Sequence, residues 1–136
     1  MKDLIAEAVK LTRKISYKEK SRIIKDWGCR HVCFSIFKDA PGEKFPTDDG
    51  PWWIMIPDIE SDRPIFDGKV QFMIDYWRVA EEPILSAVIN NPTWKDAIMA
   101  VDSLMASGDG CGVFLENFNV SSCENDVTVI EAVIGS

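Results

Sequence analysis

Histidine is almost missing from this chain: His31 is its sole occurrence in 136 residues. Any histidine chemistry would have to run through that position. Long apolar runs are missing too. Nothing approaches the ~20 consecutive apolar residues of a membrane span. Met1 to Ile15 is charged throughout and lacks the continuous apolar stretch of a secretory signal. A cytoplasmic protein is therefore expected, and its four cysteines are expected as free thiols. Positive charge is scarce. Lys and Arg number 15 against 22 Asp and Glu, for a net charge of −7. Nucleic acids are bound chiefly through Lys and Arg, so a phosphate-binding surface is not expected. A basic protein partner suits the charge better. Repeats, low-complexity tracts and linkers are also lacking, so residues 1–136 read as a single domain.

The chain does have local structural signals, most clearly toward its end. Thr93 with Asp96 three residues on forms a capping box. Trp94, Ala97, Ile98, Val101, Leu104 and Met105 then fall at helical spacing and make one apolar stripe. A helix over 93–107 follows, with Gly108 as its left-handed C-terminal cap. The glycines of Gly108-Asp109-Gly110-Cys111-Gly112 do not read as a phosphate loop. A helix enters them, whereas a phosphate loop leads into a helix N-terminus. Strand-forming runs at 111–120 and 127–134 flank six turn formers, Ser121 to Asp126, and predict a hairpin.

At the other end, Asp3 to Lys14 carries a broad apolar face. Ser16 and Glu19 offer a second capping box before Ile23, Ile24 and Trp27. Two N-terminal helices are predicted, the second ending at Gly28. Their basic side chains, from Lys10 to Lys25, read as solvated faces. Strands are expected at Cys29–Phe37, at Pro51–Ile59 and over 69–80. The short run Ile84–Ile89 leans the same way. The fold class is α+β, an antiparallel sheet of about 5–6 strands with its helices packed on one side.

Three sets of residues carry candidate chemistry. A symmetric hairpin loop sets Glu116 opposite Glu131 among apolar neighbours. Two such carboxylates cannot both ionise cheaply, so the pair could serve as a catalytic acid and base, conditional on the register. Cys29, His31 and Cys33 alternate on one strand face with soft donor atoms. A fourth ligand would have to come from a distant strand end, so no metal and no cofactor is expected. Asp48, Asp49, Trp52 and Trp53 place aromatic rings beside carboxylates, a composition suited to a basic protein partner. Three function classes follow. The preferred one is a protein-binding or inhibitory module of the antitoxin or immunity type. The others are a carboxylate-based enzyme or small-ligand binder using Glu116 and Glu131, and a self-assembling structural protein that forms a homodimer through exposed strand edges or the apolar hairpin face.

Overall fold

Period-two and period-3.6 patterns sort the chain into strands and helices. The computed structural model describes residues 12–29, 38–39, 53–57, 62–108 and 114–135. In order they form β1 (Thr12–Ser16), α1 (Tyr17–Asp26), β2 (Lys38–Asp39), β3 (Trp53–Pro57) and β4 (Lys69–Ile74). Then come β5 (Ile84–Leu85), β6 (Ile89–Asn90), α2 (Trp94–Ser107), β7 (Phe114–Glu124) and β8 (Val127–Gly135). The class is α+β. One sheet has the order β1-β3-β2; a larger, five-stranded one runs β5-β4-β8-β7, with β6 also on β4.

The larger sheet is mixed, which corrects the antiparallel expectation. β8 runs parallel to β4, from Lys69↔Val127 to Met73↔Glu131. A parallel return needs a long connection. Residues 75–126 supply one, with α2 inside it.

The end of the first N-terminal helix is corrected as well. Residues 3–11 lie outside the described ones, but Thr12, Arg13 and Lys14 belong to β1, antiparallel to β3. Ile15 faces Ile54 and Arg13 faces Ile56. Cross-strand partners of this kind outweigh a weak helical preference. The second helix forms as α1. Gly28 turns left-handed at φ 83°. The Gly28 N–H reaches the Lys25 carbonyl at 2.9 Å and the Cys29 N–H reaches that of Ile24 at 3.2 Å. This is a Schellman closure.

α2 keeps its capping box. Thr93 Oγ1 accepts from the Asp96 N–H at 3.2 Å, and Asp96 Oδ2 accepts from the Thr93 N–H at 3.0 Å. Gly108 is not left-handed, however; its φ is −112°. Glycine is required there by close approach. A Cβ would collide with the Val79 carbonyl and stand 2.8 Å from Val79 Cγ1. The start of α2 is held by a second device. Asn91, at φ 48°, accepts on Oδ1 from the Gly68 N–H at 2.7 Å and gives its own N–H to the Gly68 carbonyl at 2.8 Å.

The hairpin is longer and its turn shorter than expected. β7 continues through Ser121 to Glu124, and Asn125 and Asp126 alone make the turn, at φ 51° and 68°. Both residue types tolerate the left-handed region, and a two-residue turn of this kind matches strand twist. Residues 111–113 lie outside the described ones.

The core lies between this sheet and α2. β4 turns Val70, Phe72 and Ile74 inward, and β8 turns Thr128, Ile130, Ala132 and Ile134 inward. The α2 stripe from Trp94 to Met105 covers them, joined by Ile23, Ile24 and Cys29 from the end of α1.

Candidate functional site

The hairpin register decides the carboxylate pair. β-bulges fall between Leu115 and Asn117 and between Val120 and Ser122, so pairing shifts along the ladder. Glu131 faces Asn119, and Glu116 falls in the first bulge between the pairs Leu115↔Ile134 and Asn117↔Val133. The direct opposition on which the acid/base expectation rested is not formed. The symmetric loop assumed a six-residue turn, and the two-residue turn with its bulges moves each partner. Glu131 is half-buried beside Val129 and Val133, on the sheet face turned away from the core.

Of the metal candidates, only Cys29 is among the described residues. Cys29 does not begin a strand. It closes the end of α1 and is buried, while His31 and Cys33 lie outside the described residues. Desolvation by burial pushes the Cys29 thiol from 9.0 up to about 11; Asp102 adds to the rise and Lys95 opposes it. A thiol held protonated in this way is a poor metal ligand and a poor nucleophile. Among the described residues no three His, Cys, Asp or Glu side chains gather as metal ligands. Asp48, Asp49 and Trp52 lie outside the described residues. Of that set, only the backbone of Trp53 is placed, opposite Ser16 in the small sheet.

What the fold does assemble is a groove between α2 and the outer edge of β4's neighbours. Its volume is about 530 Å³ and it is open to solvent. One wall is a helical stripe: Asp96, Met99, Ala100, Ser103, Leu104 and Ser107. These positions recur at three and four residues, so they share a face that meets the core stripe at Leu104. The other wall is Leu85, Ser86, Ala87 and Ile89. Large apolar side chains stand exposed on both walls, with Leu85 51% exposed and Met99 40%; Val88, on the same edge segment, is 48% exposed. Trp77, on the connection that leads from β4 to β5, is 79% exposed, and the Arg78 guanidinium lies 6.0 Å from its ring.

The edge wall owes its shape to Ser86. Pairing runs Ile74↔Ile84 and Met73↔Leu85, then resumes one residue out of step at Val70↔Ile89 and Lys69↔Asn90. In the gap, the Phe72 N–H is taken up by Ser86 Oγ at 2.9 Å in place of a carbonyl. The Ser86 carbonyl accepts from Gln71 Nε2 at 2.8 Å. A serine hydroxyl thus bridges the bulge and keeps residues 84–90 against β4.

The sequence holds a trace of this site. Met99 is a large apolar residue off the core stripe of α2, and Leu85 and Val88 belong to a run that includes Ile84 and Ile89. Neither signal says that the two segments face each other. Comparison of the chain with protein-family models, with curated proteins and with solved structures finds no match. No helix among the described residues is long and apolar enough to cross a membrane.

Proposed function

We propose that this protein is a protein-binding module that takes up an apolar, basic segment of another protein in the groove beside α2. The observation that carries the reading is the exposure of Leu85 and Met99, one on each wall of an open concavity. Exposed apolar side chains grouped at a groove mark contact sites far more often than the same residues scattered singly. Charge selects the partner. Asp96 lines the groove, and Glu81 and Glu82 are exposed just before β5, within a chain of net charge −7. Lys95 stands over the Trp27 ring at 5.7 Å, on the flank away from the groove. Lysines or arginines on the partner would meet Asp96 in the groove and be steered by the chain's negative charge. An acidic binder of a basic partner fits an inhibitory role of the antitoxin or immunity type.

Calorimetric titration with a short peptide that interleaves leucine and lysine tests the reading. The double substitution Leu85→Thr and Met99→Gln removes apolar surface from both walls while keeping strand and helix formers. Binding is expected to fall by about tenfold or more, on the scale of two lost apolar anchors. Val120→Thr, at an exposed site on β7, serves as the control and leaves binding unchanged. Equal affinity for the double variant and the wild type overturns the reading.

A further inference from the structure

We infer that the occupant of the groove is an extended segment that joins the five-stranded sheet as a further strand beside residues 84–90. This rests on the groove-binding reading and adds its mode. Among the described residues β5 ends the sheet on this side. The direction of its backbone groups follows from the bonds it makes inward. In an antiparallel pair, residues that exchange hydrogen bonds alternate with residues whose N–H and C=O point the other way. The Ser86 N–H donates to the Phe72 carbonyl at 2.8 Å, which marks 72 and 86 as a bonded position. Met73↔Leu85 is then a non-bonded pair. The N–H and C=O of Leu85 therefore point away from β4. At the far end, the Asn91 N–H donates to the Gly68 carbonyl at 2.8 Å, so Lys69↔Asn90 is likewise non-bonded and Asn90 points outward. Ser86 itself is engaged inward through its N–H, carbonyl and hydroxyl.

The two walls match in length. From Leu85 to Asn90 an extended chain covers about 16 Å at ~3.3 Å per residue. From Asp96 to Ser107 a helix covers about 16 Å at ~1.5 Å per residue. A strand of about five residues fits between them. A helical guest would cover Leu85 and leave its outward N–H and C=O buried without partners, which is unfavourable. A strand satisfies both groups. It also sends alternate side chains toward Ala100 and Leu104, with the others toward solvent, where Asp96 of the groove and the exposed Glu81 and Glu82 ahead of β5 supply negative charge. The expected guest is thus an extended segment with leucine-like residues alternating with lysine or arginine, supplied by a different protein.

The test uses the full chain and two labelled peptides of one composition, Ac-KLKLKLK-NH2 and Ac-LKKLKKL-NH2, followed by fluorescence anisotropy. The first alternates as a strand does; the second spaces its leucines as a helix face does. Strand addition predicts that the alternating peptide binds at least about tenfold tighter, and that N-methylation of its central residues weakens it about tenfold by removing backbone donors. Leu85→Pro, which deletes an outward N–H, should weaken the same peptide more than Leu85→Ala does, with an unchanged circular dichroism spectrum. The N-methyl comparison uses wild-type protein and so stands even if that variant misfolds. Equal binding of both peptides, or indifference to N-methylation, overturns strand addition and leaves the groove reading standing. Binding of neither peptide removes the groove reading itself. Self-association of the chain that Leu85→Pro abolishes would make a second copy the occupant and overturn the proposal.

Discussion

α2 has two flanks beside its buried face, and they are treated differently. On one, the chain closes against the helix. Trp27 lies under Lys95, and the buried Cys29 senses both Asp102 and Lys95. On the other, Asp96, Met99, Ala100, Ser103 and Ser107 look across an open groove at a strand edge. At roughly 100° per residue the two flanks are separated by little more than one position on the helix. The helix does not decide which flank is covered. The end of α1 brings Ile23, Ile24 and Trp27 to the core, whereas Leu85 and Val88 remain exposed on the edge. One flank is completed within the chain, and the other stays open as a groove.

The largest effect should separate neighbours. Ile98 is fully buried and Met99 is 40% exposed. Ile98→Ala is expected to cost about 2–5 kcal/mol in urea unfolding, the usual range for a cavity in a packed core. Met99→Ala is expected to stay within about 0.5 kcal/mol, as exposed substitutions do. A cost for Met99→Ala close to that of Ile98→Ala would break the comparison, because it would mean that the groove is already filled.

The covered flank also has a pH signature. Burial, with Asp102 as a second cause, raises the Cys29 thiol from 9.0 to about 11. The folded state therefore holds this proton more tightly than the unfolded chain. Its contribution to stability is fully present below pH 9 and is lost as pH rises through about 11. The loss is on the order of 2 kcal/mol by the upper end. Urea unfolding at pH 8.5 and 10.5 should show a fall that is smaller in Cys29→Ala by that increment. An equal fall in both proteins would mean that the flank is wetter than its geometry implies.

The open flank should be sensitive at its hinge of hydrogen bonds. Ser86→Ala leaves the Phe72 N–H, on a residue with no exposure, without its hydroxyl partner. A cost of about 1–2 kcal/mol is expected. Ser103→Ala, on the opposite wall of the same groove, should change stability by less than about 0.5 kcal/mol. A silent Ser86→Ala would show that the edge wall is not held by that serine.

These contrasts also explain what could be read from the sequence. α2 was legible because its signals are local: Thr93 with Asp96 for the cap, and a stripe from Trp94 to Met105. The β4 alternation at Val70, Phe72 and Ile74 was legible for the same reason. The parallel β4–β8 pairing was not, because it joins segments far apart and depends on the path between them. Thr12 to Lys14 looked helical until paired with β3. The hairpin loop was misjudged because Ser121 to Glu124 are turn formers by type but continue as strand, leaving Asn125 and Asp126 to turn. The groove was harder still. Met99 and Leu85 are each unremarkable in sequence, and only the mixed sheet brings an edge strand alongside α2.

The smallest effect concerns the residue that begins α2 and anchors its buried face. Trp94 is 2% exposed, and its ring packs 6.0 Å from that of Phe118. Its Nε1 is buried and has no hydrogen-bond partner among the described residues. Two effects then oppose each other on substitution. Trp94→Phe gives up ring volume and leaves a small cavity, but it also deletes an orphan donor whose burial costs about 1–3 kcal/mol. The net change should fall within about 1 kcal/mol, whereas Trp94→Ala, which loses the whole ring, should cost about 3–5 kcal/mol. If Trp94→Phe proved nearly as costly as Trp94→Ala, the indole N–H must have a partner in solution, such as a buried water. The buried face of α2 would then be less dry than its exposures imply, and the contrast between its core face and its open flank correspondingly smaller.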